Sequence, residues 1–387
     1  MSTTPNTEAS LPTGSPDRLE RLKAFLKVDP TNEALARDCI ALALECGDHD
    51  LALEQTERLL TRSPDDMALR FARATALIAK RDYAQAIATL RGVVATDHSL
   101  WAAWINLGLC HYCLNEFPQA REALETAYSS GDRSAGLLRL LVSTYHHLGL
   151  MDQAVSIADT NRAPANGDSA LAGVYALVYL DVSQSAQAAR WAAKALAGNP
   201  DSVDGLTVQA TLNAAKMHVA HAREQYERAL QLAPSNGRAW VGLGALALFA
   251  RDLPRATSLL TRGVEQMPRH VGSWHVLGWA HLLSGELNAA ESVFQRTLEL
   301  DRNFSETHGG LAAVAALRGD VRAAEQGIEV ALRLDPKCLS AQFARSVLVS
   351  RSGDAPAGRK LIRDTLSGLS PGDGSLLARV IEDAAQR

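Results

Sequence analysis

The chain has 387 residues, of which 47% are hydrophobic and 21% are charged, so most of it is expected to fold. Its formal net charge is −4, so the chain lacks the excess of basic residues that is typical of nucleic-acid-binding proteins, and no nucleic-acid partner is expected. No apolar run approaches the roughly 18 residues that a transmembrane helix requires, so direct membrane insertion is not expected either.

The first 16 residues are polar and rich in Ser, Thr and Pro. They lack the charged start and apolar core of a signal peptide, so residues 1–16 are predicted to form a disordered tail. The chain contains five cysteines, an odd and sparse set that argues against a disulfide framework and favours a reducing compartment. These features predict a cytoplasmic protein.

Residues 17–32 are predicted to contain a single capping helix. Leu19, Leu22, Phe25 and Leu26 have the spacing of one helix face, and this face is expected to cover the first unit of the segment that follows.

From Glu33 onward the sequence repeats every 34 residues. If the recurring alanine is numbered place 20, ten repeats run from Glu33 to Gly372, and Gly358 takes the alanine's place in the tenth. Places 4, 7, 8 and 11 are apolar or small, as are places 20, 24 and 27, which predicts two helices per repeat and no strand. Turn-forming residues near place 15 separate the two helices. The recurring alanines are Ala52, Ala86, Ala120, Ala154, Ala188, Ala222, Ala256, Ala290 and Ala324.

The eighth repeat shows the family pattern. Trp274-x-x-Leu277-Gly278-x-x-His281, followed by Ala290-x-x-x-Phe294, resembles the signature of the tetratricopeptide repeat (TPR). The resemblance implies an all-α, right-handed superhelical solenoid of about ten helix-turn-helix repeats over residues 33–372. The abundance of arginine and alanine is typical of GC-rich bacteria, so we expect a bacterial TPR-array protein.

Three features depart from a uniform array. Arg73 and Arg345 hold place 7, which is apolar in most repeats. The end of repeat four contains Pro164 and Gly167, which predict a shortened second helix and a softer joint at residues 161–169. Residues 373–387 are expected to form a C-terminal capping helix, because a stack of hairpins leaves its end faces uncovered.

Places 2, 5, 9, 12 and 13 of each first helix lie opposite its core-facing places. In TPR proteins these places line a concave groove that binds partners, so the resemblance implies such a groove here. In repeats seven to ten they are apolar, which predicts a contiguous exposed apolar surface with Phe249, Trp279, Leu283 and Phe343 as anchors. The complete predicted groove set is Val241, Leu248, Phe249, His275, Trp279, Leu282, Leu283, Leu317 and Phe343, with a secondary set of Arg37, Phe71, Ile105, Tyr112 and Arg139.

No catalytic residue, cofactor site or metal site is predicted, because the sequence has no P-loop, GxGxxG, GxSxG or HExxH motif. The pair Cys110 and Cys113 lacks the second cysteine pair that is usual in structural zinc sites. The predicted function is a non-catalytic scaffold or assembly chaperone that binds an apolar or amphipathic protein segment in the groove. The alternatives are a peptide-responsive sensor that flexes at residues 161–169, a homodimer with mutually covered grooves, and a groove covered by the chain's own C-terminal helix.

Overall fold

The computed structural model of the chain describes residues 16–367, which form 22 α-helices without any strand in that range. Residues 1–15 of the predicted tail (residues 1–16) and the predicted capping helix at residues 373–387 lie outside the described residues, and Pro16, the last residue of the predicted tail, begins the first helix instead. The described chain consists of two compact units, one ending at Gly167 and the other beginning at Asp168. We call them the N-terminal unit and the C-terminal unit.

The helices of the N-terminal unit are α1 (Pro16–Val28), α2 (Glu33–Cys46), α3 (His49–Leu60), α4 (Met67–Ala79), α5 (Tyr83–Thr96), α6 (Trp101–Cys113), α7 (Phe117–Ser129), α8 (Ala135–His147), α9 (Met151–Thr160) and α10 (Arg162–Gly167). Those of the C-terminal unit are α11 (Ser169–Asp181), α12 (Ser185–Gly198), α13 (Val203–Ala215), α14 (Val219–Leu232), α15 (Gly237–Phe249), α16 (Leu253–Gln266), α17 (Val271–Leu283), α18 (Leu287–Leu300), α19 (Ser305–Arg318), α20 (Val321–Leu334), α21 (Leu339–Arg351) and α22 (Ala355–Ser367).

Twenty of these helices, all except α1 and α10, pair into ten consecutive hairpins, four in the N-terminal unit and six in the C-terminal unit. The prediction of an all-α array of ten 34-residue repeats is therefore confirmed. We call the first helix of each hairpin its A helix and the second its B helix. The face formed by places 2, 5, 9, 12 and 13 of the A helices is called the A-face.

The turn inside every hairpin has the same backbone geometry. The residue at place 15 has a positive φ in all ten repeats, and five of these residues are glycine, which adopts this conformation without steric cost. The others, such as Arg81 (φ 62°) and Arg251 (φ 62°), bear side chains. An aspartate often follows at place 16, where Asp82 accepts a hydrogen bond from the backbone N–H of Gln85 and caps the B helix.

Small residues set the spacing of the two helices within a hairpin. All nine place-20 alanines are fully buried. The opposing place 8 is Gly, Ala or Ser in eight of the ten repeats, and a Cβ added to Gly108 would lie 2.5 Å from Cγ of Leu124. A larger side chain at either place would separate the helices and leave a poorly packed core.

A ring nitrogen at place 4 fastens several A helices to the preceding turn. Trp104, Trp240 and Trp274 each donate the indole N–H to the carbonyl oxygen six residues earlier, at 3.1, 2.8 and 3.0 Å. Arg70 makes the same bond from Nε to the carbonyl of Pro64, at 2.7 Å. Place 4 thus combines burial of a large side chain with a fixed polar contact.

The segment between the two units differs from other repeat junctions. The B helix α9 has 10 residues, and the six-residue α10 follows it before α11 begins. Asn161, between α9 and α10, donates from Nδ2 to the carbonyl of Ile157 at 2.9 Å and to the Tyr128 hydroxyl at 3.2 Å. The softness expected for residues 161–169 stays a prediction.

Helix α1 packs on the first hairpin with one face. Leu19 and Leu26 are buried in a cluster with Ala36 and Cys39 of α2. Phe25, which the spacing placed on the same face, is 60% exposed. The covering face of α1 is therefore narrower than predicted, because one turn of a helix cannot bury Leu22, Phe25 and Leu26 equally against a single hairpin.

Candidate partner-binding surface

In repeats eight to ten of the C-terminal unit, the two largest side chains of the A-face are buried against each other. Trp279 of α17 is fully buried, and its ring contacts the Phe343 ring of α21 with centroids 5.1 Å apart and an interplanar angle of 75°. The prediction that Trp279 is an exposed anchor is therefore wrong. Its indole N–H is shared between Nε2 of His275 at 3.1 Å and Oγ of Ser340 at 3.2 Å.

Small residues in repeat nine explain this closure. Trp279 and Phe343 belong to repeats eight and ten, and the A-face of α19 between them has Gly309, Ala313 and Ala316. A Cβ on Gly309 would lie 2.5 Å from the backbone nitrogen of Ala341, so α19 and α21 approach too closely for any side chain there. The two aromatic rings consequently meet across α19 instead of facing solvent.

A carboxylate holds the same contact in place. Glu306 of α19 accepts hydrogen bonds from the backbone N–H groups of Leu339 and Ser340, at 2.8 and 3.1 Å, and so caps α21. Glu306 also accepts a hydrogen bond from the Ser340 hydroxyl at 2.5 Å. Because Ser340 donates its proton to Glu306, its oxygen can accept the hydrogen bond from the Trp279 indole N–H. The closure thus combines apolar burial with a connected set of hydrogen bonds.

The predicted exposure is wrong for five of the nine residues of the groove set and stays a prediction for the other four. Five of its members are buried between helices, and the other four are half-buried and pack on core clusters. The buried members are Leu248, His275, Trp279, Leu282 and Phe343, and the half-buried members are Val241, Phe249, Leu283 and Leu317. Periodicity places these residues on the A-face correctly but does not measure the distance between neighbouring A helices.

Glycine at place 5 was the signal that sequence reasoning missed. It occurs at Gly173 and Gly309, and a Cβ on Gly173 would lie 2.9 Å from Cβ of Asp204 in the next A helix. Close approach of two A helices removes the space that a bound segment would occupy. A salt bridge in the same unit also connects repeats that are not neighbours in the chain. Arg238 of α15, in repeat seven, lies 2.5 Å from Asp181 of α11, in repeat five.

The A-face of the N-terminal unit remains partly exposed over three consecutive A helices. Phe71 of α4 and Ile105, Leu109 and Tyr112 of α6 are half-buried, and Arg139 of α8 is exposed. Arg139 forms no ion pair with any residue in the described range 16–367. We call these five residues the open A-face.

The charge of the open A-face is one-sided. Helices α4, α6 and α8 contain no aspartate or glutamate. Arg37 of α2, a member of the secondary groove set, pairs with Asp66 at 2.6 Å. That hydrogen bond holds the pKa of Asp66, the N-cap of α4, below its usual value. Arg139 is thus the predicted arginine that still offers its charge to a partner.

Aromatic rings stabilise one end of the open A-face. The Tyr112 hydroxyl lies 3.2 Å from Nε2 of His147, and the His147 ring stacks on Phe117 with centroids 4.4 Å apart. These contacts connect α6, α7 and α8 at the end of the hairpins. They hold the ring of Tyr112 in one orientation before any ligand binds, so that binding would not have to pay the entropy cost of ordering this side chain.

The cysteine-histidine stretch at the end of α6 is divided between core and surface. Cys110 is buried, which raises the pKa of its thiol to about 12, whereas Cys113 is exposed. His111 is buried and its Nδ1 lies 2.6 Å from Oε2 of Glu116. Within the described residues, no three His, Cys, Asp or Glu side chains form a group that could hold a metal ion. Over the same range, none of the helices combines the length and apolar character needed to cross a bilayer.

Family models described as tetratricopeptide repeat match residues 42–99, 71–129 and 271–304. No curated protein matches the chain by sequence. Solved structures that resemble it include the APC/C hetero-tetramer Cut9-Hcn1 (13% identity, 95% of this chain and 93% of that chain, TM-score 0.48). Yeast Tom70 is 14% identical, over 96% of this chain and 92% of that chain, with a TM-score of 0.36. YrrB, described as a TPR protein with an unusual peptide-binding site, is 19% identical, over 49% of this chain and 96% of that chain, with a TM-score of 0.36. The matched residues lie in both units and share the hairpin geometry of the described array, so residues 42–129 and 271–304 are identified as tetratricopeptide repeats.

Proposed function

We propose that the chain is a non-catalytic interaction scaffold that binds an apolar or amphipathic protein segment on the open A-face of the N-terminal unit. One observation supports this choice above others. Phe71, Ile105 and Tyr112 stay half-buried on successive A helices, whereas Trp279 and Phe343 are buried by each other. Apolar side chains that are only partly covered, on a preformed surface, favour association with a partner.

The chemistry of this face suggests what the segment contains. Its apolar side chains would cover Phe71, Ile105 and Leu109, each contributing up to about 1.5–3 kcal/mol if burial were complete. An acidic group would lie near Arg139, because the three A helices supply no carboxylate of their own. The roles of assembly chaperone and peptide-responsive sensor, a bacterial source and a cytoplasmic location remain predictions.

Selection of binding peptides from a displayed random library tests the proposal. Peptides selected on the full chain should bind Ile105→Asp at least about tenfold more weakly, because the aspartate places a charge in the apolar contact. The matched control is Leu114→Asp, since Leu114 is exposed on the same segment but lies outside the A-face. Trp279→Asp cannot serve this purpose, because it would place a charge in the core.

Two outcomes would overturn the proposal. Peptides that bind both variants equally well would assign binding to another surface. A dimer of the wild-type chain in light scattering that dissociates in Ile105→Asp would assign the open A-face to a second copy of the chain.

A further inference from the structure

Repeat two differs from the other repeats on the outer side of its hairpin. Place 4 is Arg70 and place 7 is Arg73, whereas place 7 is leucine in five repeats: Leu107, Leu141, Leu243, Leu277 and Leu311. The departure leaves an open depression of about 630 Å³ between α3, α4 and α5, with Leu60, Pro64 and Ala88 in its wall. Both arginines line it.

The residue at place 26 explains why the depression is empty. In repeat seven this place is Arg262, whose guanidinium lies 4.8 Å from the ring centroid of Trp240 at place 4. In repeat two the order is reversed, because place 4 is Arg70 and place 26 is Gly92. The nearest atom to a Cβ built on Gly92 would be Nη1 of Arg70 at 3.9 Å, so nothing fills the space beside the guanidinium.

Neutral groups hold both guanidiniums in position. Arg70 Nε donates to the carbonyl of Pro64 at 2.7 Å, and Arg73 Nη1 donates to the Thr89 hydroxyl at 2.8 Å. Nη1 of Arg70 has no acceptor among the described residues, so it is available to a ligand. Two fixed cations on successive turns of α4 therefore face one cavity.

The carboxylates near these cations are replaceable. Glu57 lies 3.6 Å from Nε of Arg73, and Asp65 lies 2.6 Å from Nη2 of Arg70. Their side chains are 61% and 92% exposed, and ion pairs this exposed contribute little to stability. An oxyanion that meets both guanidiniums makes charge-assisted hydrogen bonds to two cations at once, whereas Asp65 contacts only Arg70 and Glu57 only Arg73.

We propose that the depression lined by Arg70 and Arg73 is a second binding site, which takes a phosphate monoester on a side chain of a protein partner. A doubly charged phosphate matches two guanidiniums better than a single carboxylate does, and the apolar wall accommodates the carbon atoms attached to it. This site is separate from the open A-face.

Titration of the full chain with phenyl phosphate, inorganic phosphate and phenylacetate tests the site. The Nε–Hε NMR signals of Arg70 and Arg73 should shift saturably with phenyl phosphate and less with phenylacetate. Arg73→Leu should weaken phenyl phosphate binding at least about tenfold, because one charge-assisted contact is lost. It should fold, since leucine is the residue of five other repeats at this place. Glu57→Gln should strengthen binding, because it removes the competing carboxylate.

Arg345→Leu is the matched control. Arg345 holds place 7 of repeat ten and is exposed, so this substitution should leave the affinity unchanged. Equal binding by wild type and Arg73→Leu, or the absence of saturation, would overturn the proposal. If Arg73→Leu fails to fold, Arg70→Gln gives the same comparison. Binding only to vesicles that contain phosphorylated lipid headgroups would assign the site to a membrane instead of a protein partner.

Discussion

At the scale of single residues, His275 is a buried polar group whose pKa depends strongly on its surroundings. Its Nε2 accepts the Trp279 indole N–H, and its Nδ1 is buried without a hydrogen-bond partner among the described residues. Burial lowers the pKa of His275 from 6.5 to about 4, and the nearby Glu306 carboxylate, 3.7 Å from Nε2, opposes this shift without cancelling it. His275 therefore stays neutral near pH 7 and accepts the bond from Trp279.

The depressed pKa of His275 predicts a pH-dependent weakening of the C-terminal unit. Because the unfolded state takes up a proton near pH 6.5 and the folded state only near pH 4, the unfolded state binds more protons between these values. Stability should accordingly be full above pH 6.5 and fall as the pH approaches 4, by roughly 3 kcal/mol in total.

Amide hydrogen exchange in α17 and α19, measured at pH 7 and pH 4.5, checks this prediction once corrected for the intrinsic exchange rate. His275→Gln should be less stable at pH 7 but should lose less protection on acidification than the wild type. The control is His221→Gln, because His221 is exposed and should leave the pH dependence unchanged. An identical acid response in wild type and His275→Gln would show that other groups cause it.

At the scale of helices, the spacing of A helices depends on which side chain stands between them. Gly309 allows α19 to contact the backbone of α21, and this approach brings Trp279 and Phe343 together. The A-face is consequently closed by a property of α19, although the residues that close it belong to α17 and α21.

Gly309→Ala should therefore open the A-face of the C-terminal unit. The new Cβ would lie 2.5 Å from the backbone nitrogen of Ala341, and backbone cannot move aside locally as a side chain can. We expect a loss of about 1–3 kcal/mol, typical of overpacking, together with greater acrylamide quenching of tryptophan fluorescence. Gly136→Ala is the control, because nothing lies within 4 Å of its Cβ, and it should leave quenching unchanged. Unchanged quenching in Gly309→Ala as well would contradict the proposed cause of closure.

The sequence predicts hairpins better than it predicts the contacts between them. The 34-residue spacing of the nine alanines from Ala52 to Ala324, continued by Gly358, identified all ten described hairpins, because small residues must recur wherever two helices cross. The same periodicity placed Trp279 on the A-face but not in the core, since exposure there depends on Gly309 in the next A helix. Arg37 likewise lies at its predicted place, yet its charge is neutralised by Asp66, 29 residues away. Neither outcome follows from the pattern of one helix alone.

At the scale of the whole molecule, one repeat pattern produces two different A-faces. The N-terminal unit leaves its aromatic A-face residues Phe71 and Tyr112 half-buried. The C-terminal unit, by contrast, buries Trp279 and Phe343 and leaves only Phe249 among its described aromatic A-face residues half-buried. The difference arises from local composition, because glycine at place 5 occurs in repeats five and nine of the C-terminal unit and in no repeat of the N-terminal unit. A bound peptide is therefore expected to shield residues of the N-terminal unit from chemical modification more than residues of the C-terminal unit.

The reactivity of two cysteines, one near each A-face, can be used to measure this difference. Cys113 is exposed at place 13 of α6, next to Tyr112 on the open A-face, whereas Cys338 is buried at the start of α21. Burial raises the pKa of Cys338 and that of Cys110 to about 12, so neither supplies appreciable thiolate at pH 8. With a soluble disulfide reagent, Cys113 should therefore be modified at least about a hundred times faster than Cys338.

A peptide selected on the full chain should slow the modification of Cys113 and leave Cys338 unaffected, as mass spectrometry of the digested protein would measure. Cys113→Ser provides the control, because the fast phase should disappear from that variant while peptide affinity persists. Comparable rates at Cys113 and Cys338 would mean that α19 and α21 separate readily, and both A-faces would then be open to partners. Peptide binding without protection of Cys113 would place the partner segment away from the Tyr112 end, nearer to Phe71 on α4.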